Sequence, residues 1–209
     1  MTRDTEDLIH QLARQGVSSR AETPPGLSYT VMLGVLPAIA IFLIFFGFRP
    51  DFMQSLANPY FVLRGMFLAA LAAVCLTLIP PVGRPGAVIP WHRLLWAPSI
   101  LVLGLVAERF GWDPAMNTVS APAWVCITGI ASLAAFPILA LLLAVRRQAA
   151  TQPELAGAIS GLTGGAIGAT LYALWCAETS PGYVALWYGL ALAICAAAGA
   201  LAGRHLLRW

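Results

Sequence analysis

The chain has 209 residues, 59% of them hydrophobic and only 10% charged, where a soluble domain carries roughly a quarter charged residues. A mean hydropathy of +0.79 excludes a water-soluble globular domain and points to an all-α integral membrane protein. The first 26 residues hold no apolar core of the signal-peptide kind, so no cleavage is expected.

Those 26 residues read as a tail separate from a membrane domain at 27–209. Its start, TRDTEDLIHQLARQG, places Leu8, Ile9, Leu12 and Ala13 on one helical arc, with Asp7, His10, Gln11, Arg14 and Gln15 opposite. Asp4 or Thr5 is a suitable N-cap, and Gly16 a suitable stop before the flexible VSSRAETPPG linker. A helix of only about 12 residues is marginal alone in water, so its apolar face needs a partner groove. Helices that lie on lipid usually have a basic polar face, and this one is slightly acidic, which favours a protein. Leu8, Ile9, Leu12 and Asp7 are therefore the candidate partner-binding residues; the alternative is packing on the bundle's own loops.

A hydrocarbon core of ~30 Å needs ~20 apolar residues as a helix. Six runs qualify: 27–47, 61–79, 94–110, 122–145, 155–175 and 184–203. The third is the weakest, clipped by Glu108 and Arg109. Within the runs, Pro37, Pro98 and Pro137 are candidate kinks, and Arg64 is expected to snorkel outward from the start of the second.

All twelve basic residues are arginines. Six spans put nine of them (Arg3, Arg14, Arg20, Arg84, Arg93, Arg146, Arg147, Arg204 and Arg208) on the side of both termini, and only Arg49, Arg64 and Arg109 on the other. The positive-inside bias then makes both termini cytoplasmic. Trp91, Trp96, Trp112, Trp124, Trp175, Trp187 and Tyr188 fall at the expected interfaces, as an aromatic belt.

The same topology sets the cysteines at different depths. Cys75 and Cys195 lie within spans two and six, whereas Cys126 and Cys176 share the outer ends of spans four and five. If those spans form a hairpin through RRQAATQP, the two thiols meet on the oxidising face. One reading is a redox or soft-metal sensor, since thiolates are the reactive species; the other is a constitutive disulfide or a pair of small buried residues. No C-x-x-C or zinc-type spacing occurs, and a metal ion held by Cys126 and Cys176 would have to recruit Glu178 or Asp113.

Glycines recur every four residues in span five, at 157, 161 and 165 and again at 164 and 168, and in span six at 199 and 203. Small residues at that spacing allow close helix contact, within the bundle or at a homodimer seam. No carboxylate pair, nucleophile elbow or metal cluster supports an enzyme, and no cofactor is expected. A small membrane transporter or channel is the alternative reading, although a transporter would be expected to set ionisable groups or broken helices at the midplane and these runs contain almost none.

The C-terminal block SPGYVALWYGLALAICAAAGALAGRHLLRW, with DTEDLIHQLA near the start and RPDFMQSLANPYFVLR, resembles the NrsF-type six-span anti-sigma factors of proteobacteria. The resemblance implies a negative regulator that binds an extracytoplasmic-function (ECF) sigma factor at the inner membrane, without direct contact with nucleic acid. It also implies a response to heavy-metal or oxidative stress through two outer-side cysteines, matched here by Cys126 and Cys176. The short tail carries no separate globular anti-sigma domain, so Arg84, Arg93, Arg146 and Arg147 on the inner loops are further candidates for the sigma contact.

Overall fold

The computed structural model describes residues 27–48, 50–83, 122–148, 150, 152–176 and 181–207. Every element among them is helical: α1 (Leu27–Ile41), extended by a π-helical turn (Phe42–Phe46), the short α2 (Phe52–Ser55), α3 (Pro59–Val82), α4 (Ala123–Arg146), α5 (Pro153–Trp175) and α6 (Pro181–Leu206). Five of these helices are long and apolar enough to cross a membrane. They match five of the expected runs to within a few residues at each end. The third run, 94–110, and the tail with Leu8, Ile9, Leu12 and Asp7 lie outside the described residues.

Local chemistry fixes several boundaries. Gly47, at φ 68°, ends the π turn, a backbone state that costs glycine little. Asn58 caps α3 by accepting a hydrogen bond from the Tyr60 N–H at 2.9 Å, ahead of Pro59 in the first turn. At the other end α3 runs through Pro80 and Pro81 before the Gly83 N–H closes on the Ile79 carbonyl. Pro137 does not break α4, which continues on to Arg146. Instead α1 comes close at this point, with Gly34 facing Pro137 and Ala140. A methyl on Gly34 would stand 2.9 Å from Pro137 Cα, so only glycine admits the contact.

At the centre, α5 packs against α3, α4 and α6, and α4 also touches α1 and α6. Its glycines make this possible. A methyl on Gly161 would lie 3.0 Å from Gly199 Cα, and one on Gly203 would lie 2.8 Å from Gly157 Cα, so α5 and α6 meet backbone against backbone. The opposite face of α5 does the same with α4, where a methyl on Gly168 would lie 2.8 Å from the Ala134 nitrogen. Lipid supplies no hydrophobic drive between helices, and small residues compensate by maximising van der Waals contact and closeness. The glycine faces are thus used within the chain.

Two cores result. One gathers Phe42, Leu68, Cys126, Ile130, Tyr172, Cys176 and Tyr188, where α5 ends and α3, α4 and α6 begin. The other gathers Ile79, Val82, Leu141, Val145, Ala156, Ile159 and Leu207, at the opposite ends of the same helices. Hence α4 and α5 form the expected antiparallel hairpin, and α3 and α4 run in the same direction. The outer surface is apolar: Met32, Leu36, Leu43, Ile44, Phe45, Leu63, Met66, Leu139 and Leu201 are all exposed, a covering that suits lipid and not water.

Candidate signal-sensing site

Cys126 lies in the first turn of α4, and Cys176 caps the end of α5 in an extended conformation, its N–H bonded to the Tyr172 carbonyl at 3.0 Å. Because the two helices are antiparallel, the two residues meet. The Cys126 thiol has Cys176, Tyr172 and Tyr183 as its side-chain hydrogen-bond neighbours. The Tyr172 hydroxyl donates to Cys126 Sγ at 3.8 Å. All four cysteines of the chain are free thiols and buried. Cys126 is 0% exposed and Cys176 3%, so the pair sits beneath the surface of the bundle end and not on it.

A shell of aromatic rings encloses the thiols. Tyr172 lies against Gly129, one turn below Cys126, where a methyl would come 2.8 Å from the ring Cδ2 and closer still to Cε2. Phe46 and Trp175 pack around Tyr172 at centroid distances of 5.9 and 5.7 Å, and Tyr188 at 6.0 Å. The Tyr188 hydroxyl is buried close to the Cys176 thiol and the Arg64 guanidinium, and makes no hydrogen bond of good geometry. Tyr188 is therefore a core residue and not part of an aromatic belt, whereas Trp124 is 65% exposed.

Arg64 corrects a second expectation. It does not snorkel outward, and is only 7% exposed. Its Nη2 donates to the Ala173 carbonyl at 2.7 Å and to the Cys176 carbonyl at 3.1 Å, while the guanidinium lies 5.4 Å from the Phe61 ring. The end of a helix leaves carbonyls without intrahelical partners and carries partial negative charge. A cation from α3 satisfies both at the end of α5, and a buried carbonyl is a better match for it than distant water.

Chemically, the site offers two thiols, three tyrosine hydroxyls and one fixed positive charge. Among the described residues no group of three or more His, Cys, Asp or Glu gathers to hold a metal. Glu178 and Asp113 lie outside those residues. Among the described residues the site offers two thiols and no carboxylate or imidazole, a donor set that suits a soft ion better than tetrahedral zinc. Cys75 and Cys195 take the bland role: Cys195 packs against Gly165, and both are buried as small apolar side chains. Among the described residues, the buried polar ones apart from Arg64 are Ser160 and Thr163, each bonded to its own helix at 2.8 and 2.6 Å. Among the described residues, then, no polar path crosses the middle of the bundle.

Sequence reasoning brought Cys126 and Cys176 together but missed Arg64, Tyr172, Tyr183 and Tyr188. One signal was available: Tyr172 stands four residues before Cys176, on the same helical face.

No solved structure matches this chain. Two curated relatives match along almost all of it. The "Anti-sigma-F factor NrsF" of Caulobacter vibrioides (strain NA1000 / CB15N) is 31% identical, covering 98% of this chain and 99% of the relative. The "Probable anti-sigma-F factor NrsF" of Azospira oryzae (strain ATCC BAA-33 / DSM 13638 / PS) is 30% identical, with coverage of 98% and 99%. The family model NrsF, negative regulator of sigma F, matches residues 12–209. The chain belongs to the NrsF family of negative regulators, a regulatory role and not an enzymatic one.

Proposed function

We propose that the protein holds an ECF sigma factor inactive at the cytoplasmic face of a bacterial inner membrane and releases it when Cys126 and Cys176 are oxidised together or take up a soft metal. The observation that carries this reading is the placement of the thiol pair. Two free, buried thiols in mutual contact stand at one end of the bundle, while Arg146, Arg147 and Arg204 are exposed at the other. The positive-inside bias assigns the arginine end to the cytoplasm and the thiols to the oxidising side. A metal-bound or ionised Cys176 sulfur would gain a donor from the Tyr188 hydroxyl and a nearby positive charge from Arg64.

Six spans with both termini cytoplasmic complete the proposal, the third at 94–110. Its support is the direction of the neighbouring helices: α3 ends at the arginine end, while α4 starts at the thiol end. The chain must return across the bundle between them. In this reading the tail, through Leu8, Ile9, Leu12 and Asp7, supplies the sigma contact, with the arginine-bearing inner loops as additional surface. A near-complete switch needs the signal to favour the released state by about 5.5 kcal/mol, which two metal–thiolate bonds or a disulfide can supply.

The test is co-purification of the detergent-solubilised protein from its native cells, full length beside a chain lacking residues 2–22, with partners identified by mass spectrometry. A sigma factor recovered only with the full-length chain supports the reading and places the contact in the tail. Recovery with both moves the contact to the inner loops; recovery with neither overturns the reading.

A further inference from the structure

We infer that Arg64 is the positioning residue through which a change at the Cys126 and Cys176 thiols reaches α3, an inference that rests on the sensing role proposed above. Cys176 is attached to two different helices by two different groups. Its thiol faces Cys126 on α4, and its carbonyl accepts a hydrogen bond from Arg64 on α3 at 3.1 Å. One residue at the end of α5 therefore joins three helices.

The arginine side of this joint is anchored. Arg64 is buried, bonded to Ala173 as well, and stacked near Phe61 on its own helix. Among the described helices, α3 packs chiefly on α5, so the Arg64 bonds set how the thiol ends of these two helices sit together. At its far end α3 meets the segment that follows α4: Gly83 abuts the Gln148 side chain, and a methyl there would stand 2.6 Å from Gln148 Cδ. A displacement of α3 is thus delivered beside Arg147 at the arginine end.

Disulfide formation demands an S–S distance of about 2.05 Å, far inside any hydrogen-bond contact between sulfurs. Closing that gap draws Cys176 toward α4 and its carbonyl away from a guanidinium fixed on α3. Packed helices answer such a pull by shifting about 1–2 Å to a second arrangement rather than by stretching. A cap with no further role would stabilise α5 and transmit nothing.

The experiment uses the full-length protein with its co-purified sigma factor, in lipid nanodiscs, treated with diamide. The azo bond of diamide takes two electrons and two protons from the thiols and becomes a hydrazine as the S–S bond forms. Two quantities are read in parallel: the disulfide fraction, by maleimide mass-tagging, and the sigma factor retained. Arg64→Lys keeps a charge at the end of α5 but replaces the guanidinium, whose Nη2 reaches both carbonyls, with a shorter, freely rotating ammonium that is not stacked near Phe61. In Arg64→Lys the disulfide should form as in the unmodified protein, while the diamide dose for release rises about tenfold, within the range typical of coupled sites. Phe61→Leu, which loosens the anchor and leaves the hydrogen bonds, should give an intermediate dose and carries the test should Arg64→Lys not fold. Release at the unmodified dose in the folded variants overturns the inference and leaves the sensing role standing. Disulfide formation without release in the unmodified protein overturns the oxidant response proposed above, and the inference with it.

Discussion

Where α5 ends, Tyr172, Tyr188, Phe46 and Trp175 surround two thiols, and the helices meet through large side chains. Where α5 begins, Gly157 and Gly161 lie on Gly199 and Gly203, and the helices meet through backbone. The two kinds of contact respond differently to change. A glycine seam has no side chain to alter and no room to adjust, so it acts as a fixed pivot. The aromatic and sulfur end is held by groups whose chemistry can be altered, so in the proposed mechanism a change there would move helix ends relative to the α5–α6 seam. The placement of chemistry at one end and rigidity at the other suits a device that reads a signal on one side of a membrane and reports it on the other.

The largest effect expected is at the aromatic end. Tyr172→Ala removes the ring that fills the space against Gly129 and should destabilise the bundle by about 4 kcal/mol, measured by SDS unfolding in mixed micelles. At the seam, Gly161→Leu forces side-chain atoms against Cys195 and Gly199 and should cost about 3 kcal/mol in the same assay. If the seam tolerates leucine, it is not the rigid partner described here. Replacing both Cys126 and Cys176 by serine keeps the side-chain shape with a slightly smaller, more polar atom that Tyr172 can still hydrogen-bond, so it should cost only about 1–2 kcal/mol; the sigma factor should stay bound while the response to oxidant or soft metal is lost. Loss of sigma binding instead would make the pair structural. The smallest effect belongs to the pair of Arg204 Nε with Glu154 Oε1, 3.5 Å apart with both side chains more than half exposed. Arg204→Ala should change stability by less than about 1 kcal/mol, and less still at high salt.

The parts of this arrangement that were legible in the sequence are those set by run length and by spacing. Apolar runs of span length located five helices to within about three residues at each end, because a membrane helix must satisfy its own backbone along its whole length. The four-residue glycine spacing marked close packing correctly but left its partner open; the structure places it within the chain, between α5 and its two neighbours. Arg64 was misread because a lone arginine near a span end serves equally well for snorkelling and for capping a neighbour. Its true partner, Ala173, lies 109 positions away, and no local pattern records such a contact. Tyr188 was misassigned for a related reason: its place near a span end fits an interfacial ring, and only the packing of α6 on α5 turns it inward. Pro137 lies inside a continuous α4, and α1 packs directly over it, with Gly34 making room.

The central claim is that the thiol pair governs retention of the sigma factor, and the most direct measurement is the amount of sigma factor that stays with the solubilised protein before and after diamide or silver ion. The unmodified chain is compared with the variant carrying Cys126→Ser and Cys176→Ser. The account predicts release from the unmodified chain and full retention by the double variant under both treatments. Equal release from both chains, or retention by both with the disulfide demonstrably formed, would contradict it.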